Sequence, residues 1–223
     1  MPSSLKDKYE LELTPVTIAG KQLEIYRIAN LDPIIRTIHE DQKGQIHGFP
    51  FWVKVWEAAL VLTGHLLSMH LEPQVTVLEI GAGMGIASLF LGNAGYRVTA
   101  TDSDDDALEL VEMNARHNGL KSLRIKKLDW THPDLEEKFD MICGSELIYS
   151  GAAIDPVIHL LRNYLRPEGT ILMAHDIKRR WLSHFMDKAQ EAFEVGHVVN
   201  TIRTDTETHK ILVSRLKMKS YGN

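Results

Sequence analysis

Three glycines and an acid have the spacing of a nucleotide-binding turn. An apolar run that ends at Ile80 is followed by Gly81, Gly83 and Gly85, and apolar residues then recur at helical spacing. A strand, a glycine turn and a helix bring unpaired backbone N–H groups and the positive end of a helix dipole to the carboxyl edge of a sheet. A second strand-like run ends at Asp102, 21 positions after Gly81, close to the ~20 positions expected of an acid that hydrogen-bonds a ribose. We therefore predict a nucleotide-like ligand at this edge.

The type of nucleotide follows from the glycine spacing and from a third strand. The pattern is G-x-G-x-G and not the G-x-G-x-x-G that approaches a pyrophosphate, although an acid that faces two hydroxyls suits both adenosylmethionine and NAD. The run LRIKKLDW places Asp129 and Trp130 just past a third strand, where the acid can accept from an exocyclic amine and the indole can pack on a purine. These two residues suit adenine. Glu79, near the end of the first strand, is interpreted as a partner for a ligand ammonium.

The elements that must position these residues follow one another in a regular order. Five apolar strand-like runs, most of them separated by helix-like runs, extend from residue 75 to residue 176. The last two runs, GHVVNTIRT and ETHKILVSRLK, are separated only by a short polar turn, so they should pair antiparallel. This order predicts an α/β, Rossmann-like fold of the class I adenosylmethionine-dependent methyltransferases, with a seven-stranded, mostly parallel sheet that ends in an antiparallel hairpin. A dinucleotide-binding domain would continue with another parallel strand.

The N-terminal residues are predicted to form a small extension outside this sheet. Residues 9–28 alternate apolar and polar around Ala19 and Gly20, which predicts a β-hairpin. We predict that residues 1–48 form this hairpin extension and a loop, and that residues 49–223 form the methyltransferase domain. The run FPFW at the junction is expected either to roof the pocket or to pack in the core. A helix that Pro73 ends is predicted by apolar residues at steps of four and three: Val55, Ala59, Leu62, Leu66 and Met69.

Charge and composition exclude several classes of protein. The net charge of -5 argues against a nucleic-acid partner, and no membrane surface is indicated. Cys143 is the single cysteine, so no disulfide can form within the chain, which fits a reducing compartment. The histidines lack the paired spacing of metal ligands, and no metal is expected. No apolar run approaches the ~20 residues of a membrane span and the N-terminus is polar, so we predict a cytoplasmic protein.

Five segments in this order resemble methyltransferase family 16, the seven-β-strand protein-lysine methyltransferases. They are VWEAALVLTGHLL, VLEIGAGMGIASLFLGNAG, VTATDSD, LDW and FDMICGSELIYS, and the likeness is closest to the branch that acts on heat-shock chaperones. The resemblance covers roughly residue 49 to the C-terminus. It implies S-adenosyl-L-methionine as methyl donor and S-adenosyl-L-homocysteine as product. It also implies a lysine of a protein substrate as acceptor, in a chaperone or another abundant cytosolic protein.

The resemblance also assigns residues to the cofactor. It implies that Trp56 lies near the site, that Asp102 holds the ribose, that Trp130 contacts the adenine and that Ser145 supplies a backbone contact. Gly81, Ala82 and Gly83 would line the methionine portion. The full predicted cofactor set is Trp56, Glu79, Gly81, Ala82, Gly83, Gly85, Asp102, Ser103, Asp129, Trp130 and Ser145.

The acceptor is expected at the segment Glu146–Tyr149, where the family has a D-x-x-Y box. Glu146 replaces the usual Asp, and Ser145 stands where the closest branch tends to have Ala. We hypothesise that Glu146 is catalytic and fixes the incoming ammonium by a charge-assisted hydrogen bond. Tyr149 would shape the channel and orient the nitrogen lone pair, or would instead be a strand-end aromatic packed under the loop.

Other functions share the same cofactor residues. A small-molecule O- or N-methyltransferase and a non-catalytic adenosylmethionine-binding protein are the two alternatives, because fold and cofactor do not choose the acceptor. A base methyltransferase is disfavoured, since GSELIY contains no Asn/Asp-Pro-Pro-aromatic box. An NAD-dependent oxidoreductase is disfavoured by the glycine spacing and the terminal hairpin.

Overall fold

The computed structural model describes residues 4–36, 39–40, 46–47, 50–204 and 207–219. Its strands are β1 Leu11–Ile18, β2 Lys21–Ile28, β3 His39–Glu40, β4 Ile46–His47, β5 Thr76–Ile80, β6 Arg97–Asp102, β7 Leu123–Lys127, β8 Phe139–Ser145, β9 Leu165–Asp176, β10 Phe193–Arg203 and β11 Thr208–Met218. Its α-helices are α1 Leu5–Lys8, α2 Asp32–Ile35, α3 Glu57–Ser68, α4 Ile86–Asn93, α5 Asp105–His117, α6 Ile154–Tyr164 and α7 Leu182–Ala192. Short 3-10 turns cover Phe51–Val53 and Gly151–Ala153.

The central sheet has seven strands in the order β10-β11-β9-β8-β5-β6-β7. Strands β5 to β9 pair parallel with one another in this sheet, whereas β11 pairs antiparallel with both β9 and β10. The predicted seven-stranded sheet and its closing hairpin are therefore confirmed. All five residues of β5 are buried, as expected for a central parallel strand covered on both faces. The carboxyl ends of β5, β6 and β8 consequently lie side by side at one edge.

Helices cover the two faces of the sheet and form two apolar cores. Leu62 and Leu66 of α3 belong to the core that includes residues of α4 and α5, while Leu160 of α6 and Phe185 of α7 belong to the other. All four side chains are fully buried. Burying both faces of the sheet holds the strand ends at fixed positions, so that polar groups can be placed there.

The helix predicted before the sheet is shorter than its apolar stripe. It begins at Glu57 and ends at Ser68, so Val55 and Met69 lie outside it. The chain leaves the helix through His70, which has a positive φ of 47°, and Pro73 follows only after that turn. Val55 is half-buried in the extended segment before the helix, whereas Met69 after the helix is exposed, so the apolar stripe overran the helix at both ends.

The N-terminal hairpin is confirmed, with Leu11 paired to Ile28 and the turn at Ala19 and Gly20. It is joined to α5 through Asn114, whose side chain is fully buried. The Tyr26 N–H donates to Asn114 Oδ1 at 2.7 Å, and Asn114 Nδ2 donates to the Tyr26 carbonyl at 3.1 Å. Residues 48 and 49, where the domain boundary is predicted, lie outside the described residues, so that boundary stays a prediction.

Across the described ranges, no helix is both long and apolar enough to cross a membrane.

Candidate active site

A cleft opens at the carboxyl edge of the sheet, where the glycine turn, the end of β6 and the end of β8 meet. Most of the residues predicted for cofactor and acceptor line it. These are Trp56, Gly81, Ala82, Gly83, Asp102, Ser103, Trp130, Ser145, Glu146 and Tyr149. Glu79, Gly85 and Asp129 are the three predicted residues that do not line it.

The glycine turn has a backbone that other residues rarely adopt. Gly81, Gly83 and Gly85 have φ values of 59°, 53° and 72°, in the left-handed region that glycine enters without steric cost. Space also matters at Gly81, where an added Cβ would lie 2.5 Å from Leu147 and 3.0 Å from Trp130. The turn therefore requires glycine both for its conformation and for the approach of the Trp130 ring to the backbone.

Asp102 joins this turn to the end of β6. Its Oδ2 accepts a hydrogen bond of 2.8 Å from the Gly83 N–H, and its Oδ1 accepts one of 3.0 Å from the Asp104 N–H. Burial raises the pKa of the Asp102 carboxyl, and these two backbone donors oppose that rise. Each oxygen keeps a lone pair for a further donor, so the carboxylate can bind a diol while it holds the turn.

Glu79 has a different position from the predicted one. Its carboxylate is buried, with 3% of the residue exposed, and accepts from both the backbone N–H and the hydroxyl of Ser88 in the first turn of α4. Burial raises the pKa of Glu79 to about 7. The side chain therefore satisfies a helix terminus inside the protein instead of facing a ligand ammonium in the cleft.

Asp129 and Gly85 also lie outside the cleft wall. Asp129 Oδ1 accepts from the backbone N–H and the hydroxyl of Thr131, at 2.8 and 2.7 Å, and these bonds lower the pKa of the carboxyl. Gly85 caps the start of α4 and lies against Val111, which an added Cβ would approach to 2.7 Å. Both residues shape the backbone beside the site.

The segment before α3 forms one wall of the cleft. Trp52 is 6% exposed, and its indole N–H donates to Asp104 Oδ2 at 2.9 Å. The Trp56 indole N–H donates to the Phe51 carbonyl at 2.8 Å. Of the FPFW run, Phe49 lies outside the described residues, whereas Phe51 and Trp52 line the cleft. Trp52 thus belongs to both the pocket wall and the core.

Glu146 and Tyr149, which are predicted to meet the acceptor, lie in the loop after β8. Glu146 has a positive φ of 55°, its Oε1 accepts from the Asp176 N–H at 2.8 Å, and its Oε2 accepts from Arg179 Nε. Burial raises the pKa of the Glu146 carboxyl, and the positive charge of Arg179 opposes the rise. Tyr149 is 55% exposed, and its ring stacks on Phe51, with the ring centres 5.6 Å apart.

Sequence reasoning missed Asp104, which it treated only as a helix acid, and Arg179, which it treated as part of a basic cluster. Asp104 does cap α5, accepting from the Asp106 and Ala107 N–H groups, but it also lines the cleft. The link from Arg179 to Glu146 spans 33 positions, so no local pattern could have shown it.

These groups fit adenosylmethionine. The turn gives close access to the backbone, Asp102 offers free lone pairs at a strand end, and Trp130 presents an aromatic ring next to Gly81. Within the part of the chain that the structure describes, no three His, Cys, Asp or Glu side chains are arranged to hold a metal ion.

Comparison with known proteins agrees with this geometry. The family model of the lysine methyltransferases matches residues 32–192. The chain is 28% identical over 171 residues to protein N-lysine methyltransferase METTL21A of Xenopus tropicalis, covering 73% of this chain and 78% of that protein. It is 29% identical over 131 residues to EEF1A lysine methyltransferase 3 of Mus musculus, covering 56% of each.

Solved structures confirm the fold class. The 16S rRNA N2 G1207 methyltransferase RsmC of T. thermophilus, in complex with AdoMet and guanosine, superposes with a TM-score of 0.61 at 17% identity. The match covers 94% of this chain and 51% of that one. At this identity the likeness shows the fold alone, which is that of the class I adenosylmethionine-dependent methyltransferases.

Proposed function

The chain belongs to the lysine methyltransferase family and is an adenosylmethionine-dependent protein-lysine methyltransferase, and from that premise we propose that the cleft at the carboxyl edge of the sheet is its active site. One observation carries this proposal. The glycine turn after β5 and the segment Glu146–Tyr149 after β8 line the same cleft, so a donor held by the first lies next to an acceptor held by the second.

The cofactor half of the site is built from three strand ends. Asp102 binds the ribose hydroxyls, Trp130 packs on the adenine, and the turn Gly81–Gly83 receives the methionine portion. Ser103 and Ser145 extend the same wall. When bound, adenosylmethionine supplies a methyl group on a positively charged sulfonium. The protein contributes alignment of the two reactants and exclusion of water, since a direct displacement needs no covalent nucleophile.

The acceptor half must bind a lysine and favour its neutral form. The ordinary pKa of lysine is ~10.4, and removal from water favours the uncharged amine. Glu146 first attracts the ammonium with the lone pairs that Asp176 and Arg179 leave free. The ammonium then loses its proton to solvent, and the neutral amine takes the methyl group from the sulfonium. Tyr149 borders the path of the side chain. Phe51 and Tyr149 form an aromatic rim that shields the nitrogen from solvent.

The substrate is a protein, and we place it among abundant cytosolic proteins such as chaperones and translation factors. The likeness to the chaperone branch and to EEF1A lysine methyltransferase 3 supports this choice. A cytoplasmic location agrees with a chain whose single cysteine is a buried free thiol.

The test is transfer of a labelled methyl group. The purified protein is incubated with methyl-labelled adenosylmethionine and an extract of its own cell, and the products are separated by size before and after protease treatment. Label in a protease-sensitive band that yields methyl-lysine on hydrolysis supports the proposal. Label only in small molecules would instead support the small-molecule alternative, and no transfer despite measured cofactor binding would indicate a non-catalytic binding protein.

A further inference from the structure

Arg179 lies just beyond the end of β9 and contacts two walls of the proposed active site. Its Nε donates to Glu146 Oε2, and its guanidinium carbon lies 5.0 Å from the centre of the Trp56 ring. The arginine backbone is fixed as well, because its N–H donates to the Asp176 carbonyl at 3.0 Å. One planar guanidinium thus bridges a carboxylate from the β8 loop and an indole from the segment before α3.

The position of Arg179 relative to the cleft is informative. A second groove, which includes Asp176 and His209, lies beside the cleft and shares Lys54, Trp56 and Glu146 with it. Arg179 lines this groove and not the cleft. The guanidinium therefore contacts Glu146 and Trp56 from the side of the groove, and it does not fill the part of the cleft that an acceptor would use.

Glu146 needs such support because its backbone is strained. A non-glycine residue with a φ of 55° persists only where surrounding contacts determine the conformation. Three contacts do so here: the Glu146 N–H donates to the Ala174 carbonyl at 2.9 Å, and the carboxylate accepts from Asp176 and Arg179. Of these, only Arg179 supplies a charge.

We propose that Arg179 is a positioning residue for methyl transfer, which holds the Glu146 carboxylate and the Trp56 indole in the wall that receives the acceptor lysine. The proposal rests on the proposed function of Glu146. It also explains why arginine is present: a lysine could supply the charge, but it has no planar group that donates to a carboxylate while it stacks on an indole.

The experiment compares Arg179→Gln, Arg179→Lys and Arg180→Gln with the wild type, using the protein acceptor found by methyl labelling. Arg180 is the matched control, since it is exposed, lies over the Trp181 ring and lines neither the cleft nor the groove. We expect Arg179→Gln to lower kcat/KM for the acceptor by about tenfold or more, the usual size of a lost hydrogen bond to a charged group. Arg179→Lys should recover part of that loss, and Arg180→Gln should match the wild type.

A double-mutant cycle shows whether Arg179 acts through Glu146. If it does, adding Arg179→Gln to Glu146→Gln causes little further loss, because the coupled contact is already absent. The pH profile is a second readout. Arg179 and Asp176 face Glu146 from the end of β9, and Lys54 shares its wall, so loss of the arginine should move the acid limb of kcat/KM to higher pH.

Three results would overturn the proposal. The first is a wild-type kcat/KM in Arg179→Gln, and the second is losses that multiply in the double variant. The third is a gain in kcat/KM in Arg179→Gln, which would mean that Arg179 obstructs the acceptor. A wild-type protein that methylates no lysine would refute the proposed function itself. Circular dichroism and urea unfolding of each variant show that it is folded.

Discussion

The Gly83 N–H donates a 2.8 Å hydrogen bond to Asp102 Oδ2 and so joins the glycine turn after β5 to the end of β6. The sequence presents these residues as two separate cofactor contacts, 19 positions apart. In the structure they form one unit, because the acid that is proposed to bind the ribose also fixes the turn that is proposed to hold the methionine portion. Disturbing either residue should therefore affect the whole cofactor.

This unit leads to a prediction for Asp102→Asn. The substitution removes the charge and replaces one carboxylate oxygen, an acceptor, by an amide NH2 group, which only donates. We therefore expect adenosylhomocysteine to bind at least about tenfold more weakly. Isothermal titration calorimetry measures the change, and Asp105→Asn is the control because Asp105 pairs with Lys127 at the surface. An unchanged Kd in Asp102→Asn would remove Asp102 from the cofactor site.

Gly81→Ala separates backbone strain from loss of space. Gly119 has a similar φ of 66° but nothing within 4 Å of an added Cβ, so Gly119→Ala should cost only the ~1–2 kcal/mol of a left-handed backbone. Gly81→Ala should cost at least about 1 kcal/mol more, because its Cβ must also displace Leu147 and crowd Trp130. Urea unfolding of both variants checks this. Equal losses would mean that neither Leu147 nor the Trp130 ring crowds Gly81.

The raised pKa of Glu79 predicts that the stability of the protein depends on pH. Its folded pKa of about 7 exceeds the ordinary value of 4.5, so between these pH values the folded protein binds more protons than the unfolded chain. The free energy of unfolding should therefore fall as pH rises from about 4 to about 8, by about 3 kcal/mol from this group. Glu79→Gln, which stays neutral, should lack this part of the fall.

Denaturant unfolding at several pH values tests this, with Glu72→Gln as the control because Glu72 is an exposed residue. Parallel stability curves for wild type and Glu79→Gln would contradict the raised pKa.

Tyr149→Phe distinguishes the two interpretations of Tyr149. The phenylalanine keeps the stack on Phe51, so a role in orienting the acceptor nitrogen predicts a fall in kcat of roughly fivefold, the size of one neutral hydrogen bond. Tyr149→Ala should lower activity further because it also removes the rim of the cleft. Steady-state kinetics at saturating cofactor give both values, and full activity in Tyr149→Phe would leave only the packing role.

Periodic features of the fold were predictable from the sequence, and features that depend on distant contacts were not. The closing hairpin follows from two strand-like runs with a short turn. Asp102 and Trp130 could be predicted to line one cleft because strand ends converge at one edge of the sheet. The direction of the Glu79 side chain depends on Ser88, nine positions along the chain. The contact of Asp129 with Thr131 is local, an Asx-type turn that the residue types could have suggested. The role proposed for Arg179 depends on its contact with Glu146, which follows a different strand.

The most direct test of the central claim is a crystal structure of the protein with S-adenosylhomocysteine. We predict the ribose hydroxyls on the Asp102 carboxylate, the adenine beside Trp130 and the sulfur facing the opening between Glu146 and Tyr149. A ligand that lies elsewhere, or whose sulfur faces away from Glu146, would contradict the assignment of this cleft as the site of methyl transfer.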